Sequence, residues 1–104
     1  MMYKLKVLPS VRKEIIKIRN YIADDLCNVD ASLSLMTDIQ TAFVQIKSNP
    51  NAFSRYEYEK ELKHEYRKKI VNGYIILYWI DEVKKIVTVS YIYHTRMNYG
   101  PRLL

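Results

Sequence analysis

The sequence lacks the features that mark several common classes of protein. Its 104 residues include one cysteine, Cys27, so neither an internal disulfide nor a cysteine-based metal cluster can form. No stretch approaches the roughly 18 apolar residues that a transmembrane helix needs. The N-terminal MMYKLKVLPS is too short and too alternating for a signal peptide. We therefore expect a cytoplasmic protein with no membrane partner, no metal site and no cofactor.

What is present is an ordinary globular composition with an excess of basic residues. Hydrophobic residues make up 49% and charged residues 27%, and the length suits a single domain over residues 1–104. The net charge is +6, and residues 51–104 hold ten Lys/Arg against six Asp/Glu. Such a field favours partners with phosphate backbones or acidic protein surfaces. The ten tyrosines suit either an interface or the filling of a sheet.

The strongest structural signal lies in the second half of the chain, where three runs rich in Ile, Val, Tyr and Trp follow one another. Tyr66–Val71 and Tyr74–Ile80 flank the dipeptide Asn72-Gly73, whose residues both tolerate the positive φ of a type I′ hairpin turn. A charged turn then leads to Ile86–Tyr93. This pattern predicts a three-strand antiparallel meander, with Trp79 in the core.

The first half of the chain predicts one strand and two helices. Tyr3–Leu8 alternates as a half-buried strand does, and Pro9-Ser10 can begin a helix, with the serine as a cap. The apolar stripe of this helix is Val11, Ile15, Ile18 and Ile22. A second helix is capped by Asn28 or Asp30 and runs to about Ser48. Its apolar stripe is Leu35 or Met36, Ile39, Phe43 and Ile46.

The order of these elements predicts the architecture. Two amphipathic helices joined by a short polar loop form an αα-hairpin, and its apolar side has the sheet to pack on. Residues 51–65 read as a largely solvated loop with one helical turn at most, in which His64 faces water. We therefore expect an α+β domain of order β-α-α-β-β-β, with a small, mainly antiparallel sheet and the N-terminal helical hairpin packed on one face.

Four landmarks of the sequence occur in a characteristic order. They are an opening strand and helix (YKLKVLPSVRKEI), the end of a helical hairpin (IKSNP), a basic strand and hairpin (YRKKIVNGYIILYWID) and a last strand with a His/Arg tail (VSYIYHTRMNY). From Tyr3 to about Tyr99, the chain resembles the RelE/ParE superfamily of bacterial type II toxins. The resemblance implies a small basic toxin that a cognate antitoxin wraps and suppresses, and that reaches operator DNA only through this antitoxin.

The superfamily includes two modes of action, and one of them is catalytic. RelE-like members cleave mRNA in the ribosomal A site without a metal ion, because the ribose 2′-OH attacks its own phosphate with help from basic and acidic side chains. When the catalytic residues of RelE-like members are matched to this sequence, the resemblance implies the candidate catalytic residues Lys69, His94, Arg96 and Tyr99. It implies the RNA- or partner-binding residues Arg67, Lys68, Lys69 and Arg96, with Arg67 and Lys69 on one face of their strand and Lys68 on the other.

One position departs from the nuclease pattern. The residue after the Gly-Tyr of the hairpin, an Arg in RelE-like nucleases, is Ile75 here, and an apolar side chain cannot stabilise a charged phosphate. This departure and the long helical hairpin favour the ParE-like mode, in which the toxin poisons DNA gyrase and is not a nuclease. A ribosome-dependent mRNA endoribonuclease, and an inactive homologue that acts with its antitoxin as a DNA-binding co-repressor, are the alternatives.

Overall fold

The computed structural model describes residues 2–97 and 99–104 and confirms the α+β fold. The helices and strands, in chain order, are β1 (Lys4–Val7), α1 (Pro9–Asn20), α2 (Val29–Ser48), β2 (Arg67–Val71), β3 (Tyr74–Asp81) and β4 (Ile86–His94). The predicted strands differ from the observed ones by one residue at five of their eight ends and agree with them at the other three. Short helical turns at Tyr21–Asp25, Pro50–Ala52 and Gly100–Leu103 complete the list.

The four strands form one mixed sheet in the order β1-β4-β3-β2. The predicted meander β2-β3-β4 is confirmed, and the turn Asn72-Gly73 has the two positive φ angles, 46° and 84°, that its sequence predicts. Strand β1 lies parallel to β4 and pairs only with Ile86–Val89. The outer edge of β4 beyond Val89 therefore has no strand beside it in the described part of the chain.

The two helices begin differently from each other. Leu8 holds the cap position of α1 and Pro9 its first turn, so the expectation that Ser10 caps this helix is wrong. For α2 the cap is Asn28 rather than Asp30, because Asn28 Oδ1 accepts a hydrogen bond from the Ala31 N–H at 3.0 Å. After α1 the chain continues into a π-helical turn, Tyr21–Asp25, and it leaves the helical conformation at Cys27, whose φ is 51°, before α2 begins.

The helical hairpin covers one face of the sheet, called the first face here. Both predicted apolar stripes lie in this core, with Ala42 in addition, and they meet Ile76, Tyr78, Val87 and Val89 of the sheet. The Tyr78 hydroxyl, buried among these aliphatic side chains, donates to the Pro50 carbonyl oxygen at 2.7 Å. The polar end of this buried ring is therefore satisfied, as a closely packed core requires.

The opposite, second face carries a smaller core that is mostly aromatic. Its buried members are Tyr66, Leu77, Tyr93 and Leu103, with Tyr56, Leu62, Ile75, Trp79, Tyr91 and Tyr99 packed against them. The prediction of a solvated loop over residues 51–65 is therefore wrong for Tyr56 and Leu62. It is also wrong for His64, whose half-buried imidazole stacks on Trp79 with centroids 3.9 Å apart and ring planes at 2°.

Candidate functional site

The three cations of β2 lie at the edge of the sheet and divide between its faces, as the alternation predicted. Arg67 is paired with Tyr78 and Lys69 with Ile76, so both point to the first face, whereas Lys68 is paired with Leu77. We call these three residues the basic margin.

The environment of the basic margin limits what Arg67 can do. Its Nη1 donates to the Phe53 carbonyl oxygen at 2.7 Å, so the half-buried guanidinium fixes the loop before β2. The Lys69 ammonium lies 4.6 Å from the centroid of the Phe53 ring, a cation–π contact. Lys68 Nζ has no ion pair within residues 2–97 and 99–104. Of the three, the lysines are the residues better placed to meet a partner.

Arg96 lies in a tight turn, His94–Met97, that follows β4 and is called the tail turn here. The Met97 N–H donates to the His94 carbonyl oxygen at 3.0 Å, and the Arg96 N–H donates to His94 Nδ1 at 3.2 Å. Since Nδ1 accepts this bond, the neutral imidazole carries its proton on Nε2. The Arg96 side chain is exposed and forms no ion pair with another described residue. It is therefore available to an anionic partner.

Tyr99 and Ile75 belong to the second face. Ile75 is paired with Tyr93 on one side and Ile70 on the other, and it packs against the aromatic core. The Tyr99 ring stacks on Tyr93 with centroids 4.3 Å apart and planes at 10°, and the Arg102 guanidinium lies 5.1 Å from the Tyr99 centroid. Tyr99 thus fills space within the second core, and its ring is held between neighbours.

The structure does not bring the four candidate catalytic residues together. Lys69 points to the first face and Tyr99 packs on the second, with the sheet between them. His94 closes the end of β4 beside Tyr74, two strands and two residues away from Lys69 in the register, which corresponds to about 12 Å between α-carbons. An acid and a base for one phosphodiester must both reach the same atoms. This arrangement provides no such convergence.

A cavity of about 370 Å³, which the sequence did not indicate, lies between α1 and the open edge of β4. Its titratable lining residues are Glu14, Tyr74, Tyr91, Tyr93, His94, Tyr99 and Arg102. Burial raises the pKa of the Tyr74 phenol, and the nearby Tyr21 and Glu14 raise it further. The cavity lies where the pairing of β1 with β4 has ended, after Val7 and Val89. This end point depends on the register between the two strands, which no local sequence pattern encodes.

Several tyrosines are held in their neutral form by burial. Burial raises the pKa of Tyr66 and of Tyr78 to about 12 in each case, and it raises the pKa of Tyr93 as well. Neighbouring phenols add to the effect at Tyr66 and Tyr93. These phenols therefore do not act as bases near neutral pH, and they serve packing and hydrogen bonding instead.

The relationship to known proteins agrees with this geometry. The sequence profile of the ParE toxin of type II toxin–antitoxin systems, parDE, matches residues 5–99. The chain belongs to the ParE toxin family. Comparison with curated proteins gives no significant match.

Solved structures of similar fold come from both branches of the RelE/ParE superfamily. The chromosomal ParDE system of P. aeruginosa matches with a TM-score of 0.73 at 13% identity, covering 91% of this chain and 98% of that one. The toxin–antitoxin complex RelBE2 of Mycobacterium tuberculosis gives 0.60 at 17%, covering 90% and 99%. A mutant of the E. coli toxin RelE in the free state gives 0.61 at 15%, covering 99% and 94%. At such identities these likenesses establish the shared fold of this ParE-family toxin.

Two further findings concern the described residues of this ParE-family toxin. None of its helices is both long and apolar enough to span a bilayer. Within residues 2–97 and 99–104, no three metal-binding side chains come close enough to hold an ion.

Proposed function

We propose that this toxin acts in the ParE-like mode, by binding DNA gyrase in the cytoplasm and blocking it without catalysing a reaction itself. The observation that carries the proposal is the environment of Ile75. The position that holds a phosphate-stabilising Arg in RelE-like nucleases is here an apolar side chain packed into the aromatic core of the second face. An Arg at this place would have to displace that packing.

The separation of the candidate catalytic residues supports the same proposal. Cleavage of RNA needs a base at the 2′-OH, an acid at the leaving oxygen and cations at the phosphate, all within hydrogen-bond reach. Here Lys69 and Tyr99 lie on opposite faces, and Tyr99 is enclosed by stacking. A protein that works by binding needs no such convergence, and its basic surface then serves recognition.

We also propose that a cognate antitoxin neutralises the toxin through its basic surface. Two of the solved relatives are toxin–antitoxin systems. In this chain, Lys68, Lys69 and Arg96 have no carboxylate partner within the described residues. An acidic segment of the antitoxin, helical or extended, would pair with them while covering the sheet margin and the helical hairpin. Such binding weakens as salt rises.

The nuclease alternative retains one observation in its favour. Lys69 and His94 point to the same face of the sheet, and the exposed Arg96 follows His94 by two residues. A ribosome could supply groups that the toxin lacks. The third alternative, an inactive co-repressor that reaches operator DNA through its antitoxin, is favoured by the net charge of +6 and by the incomplete catalytic pattern.

A pulse of toxin expression separates these functions. We expect induction of the DNA-damage response and intact reporter mRNA, and we expect the purified toxin to inhibit gyrase supercoiling in vitro. Arg96→Ala is the comparison variant: the Arg96 side chain is exposed, so we expect the fold to be kept, and under the nuclease alternative the variant should abolish mRNA cleavage. mRNA cut within translated codons, and protected by drugs that block the ribosome, would refute gyrase inhibition in favour of the nuclease. Unaffected growth, with neither a DNA-damage response nor mRNA cleavage, would favour the inactive co-repressor.

A further inference from the structure

The hairpin turn between β2 and β3 is attached to helix α2. The Asn72 side-chain amide donates a hydrogen bond to Asp38 Oδ2, a carboxylate on the side of α2 next to β2. Asn72 is exposed and Asp38 is half-buried. This contact is the side-chain link that the described residues provide between the tip of the hairpin and the helical layer. It therefore holds the hairpin turn against α2.

The same turn is attached on its other side to the tail turn. The Thr95 N–H donates to the Gly73 carbonyl oxygen at 2.8 Å, and a Cβ added to Gly73 would lie 3.7 Å from His94 Nε2. The His94 ring also contacts Tyr74 edge-on, with centroids 5.3 Å apart. The first residue of the tail turn thus rests directly on the hairpin.

Within the tail turn, His94 holds the backbone of Arg96 in place. Its Nδ1 accepts the Arg96 N–H, and its carbonyl oxygen accepts the Met97 N–H. Three hydrogen bonds, joined by short stretches of backbone, therefore connect Asp38 through the hairpin turn to the backbone of Arg96. No other described residue forms a side-chain hydrogen bond or an ion pair with Arg96.

We propose that Asp38 and Asn72 are positioning residues for Arg96. By fixing the hairpin turn, they hold the tail turn in the arrangement that presents the Arg96 guanidinium to a carboxylate of the antitoxin. Ordering a flexible turn at the moment of binding costs free energy, and a turn that is already ordered avoids part of this cost. The inference rests on the proposed function, in which Arg96 pairs with the antitoxin.

Two variants break the link at residues that are not among the proposed antitoxin contacts Lys68, Lys69 and Arg96. Asp38→Ala removes the acceptor and one negative charge. Asn72→Gly removes the donor, keeps the charge and tolerates the positive φ. The matched control is Asp30→Ala, which removes a charge from the first turn of the same helix. Amide hydrogen exchange in the free toxin should become faster at Thr95 in both variants and stay unchanged in the control.

The decisive measurement is a double-mutant cycle on affinity for the cognate antitoxin that the proposed function requires. We expect Arg96→Ala to raise Kd by about 30-fold and Asn72→Gly by about 5-fold, whereas in the Arg96→Ala background Asn72→Gly should change Kd by less than about 2-fold. A merely structural role would give equal losses in both backgrounds.

The outcomes separate the inference from the function on which it rests. Equal losses in the two backgrounds, or no loss for either Asn72→Gly or Asp38→Ala, would overturn the positioning role while leaving Arg96 as an antitoxin contact. Unchanged affinity of Arg96→Ala would overturn that contact and the positioning role with it. A loss that disappears in the Arg96→Ala background would support both.

Discussion

The two faces of the sheet are built from different parts of the chain and by different means. The first face is covered by two long helices that contribute Ile, Leu, Val and Ala at regular intervals. The second face is covered by a loop without regular structure and by the last residues of the chain, which contribute mostly aromatic rings. Periodic sequence thus builds the layer that defines the fold, while aperiodic sequence covers the opposite face, where Ile75 and Tyr99 pack.

The largest expected effect tests whether the two cores contribute unequally to stability. Ile76 and Leu77 are neighbours on β3, both fully buried, and they point into the first and second cores respectively. We expect Ile76→Ala to lower the free energy of unfolding by about 4 kcal/mol and Leu77→Ala by about 2 kcal/mol. The loop and tail can collapse around a cavity more readily than two packed helices.

Urea denaturation followed by circular dichroism measures both changes. The two variants serve as controls for each other, because strand, depth and number of removed atoms are matched. Equal losses would mean that the loop and tail form as rigid a layer as the helices, and the distinction between the faces would fail.

The next effect concerns the tail itself. Leu103 is buried at 3% exposure, whereas its neighbour Leu104 is 59% exposed. Leu103→Ala should lower the free energy of unfolding by about 2 kcal/mol, and Leu104→Ala by less than about 0.5 kcal/mol. Near-ultraviolet circular dichroism should also change in Leu103→Ala, because the stack of Tyr99 on Tyr93 depends on the docked tail. An unchanged spectrum would show that the stack holds without Leu103.

A smaller effect tests the contact between the loop and the tail. Gly100 is buried, and a Cβ at this position would lie 2.2 Å from the Tyr58 ring. Gly100→Ala should therefore cost about 1–2 kcal/mol, since the ring must move. In a Tyr58→Ala background the same change should cost almost nothing. A similar cost in both backgrounds would place the strain elsewhere than in this contact.

The elements of the first face could be predicted because the sequence carries local signals for them. The stripe of α2 follows from the spacing of its apolar residues. The Asn72-Gly73 turn follows from the backbone preferences of its two residues. The second core could not be predicted in this way. Leu62 is a single apolar residue in a charged stretch, and Leu103 belongs to a short terminal pair with no period, so only the tertiary path of the chain brings the two to one place.

The candidate site was predictable in part for the same reason. Alternation correctly divided Arg67 and Lys69 from Lys68, because a strand has a fixed period. It could not reveal that Arg67 is used to hold Phe53, or that Tyr99 packs against Tyr93. Each contact joins a strand to a segment with no period, because Phe53 lies in the loop before β2 and Tyr99 follows β4.

The smallest expected effect is a dependence of stability on pH that arises in the second core alone. Burial lowers the pKa of the His64 imidazole below its usual 6.5, and the positive charge of Lys63 lowers it further. The folded protein therefore favours the neutral ring stacked on Trp79. As the pH falls below about 6.5, the unfolded chain takes up a proton first, so this contribution to stability is present above that pH and is lost on acidification.

We expect the thermal midpoint of the wild type to fall slightly more between pH 7.5 and 5.5 than that of His64→Phe, which keeps an aromatic ring on Trp79 but cannot titrate. His94→Gln is the matched control, because it removes the other histidine of the chain, which lies at the end of β4. Its pH dependence measures what a histidine outside the stack contributes. Parallel curves for wild type and His64→Phe would mean that the stack tolerates the imidazolium, as a cation–π contact with Trp79 can.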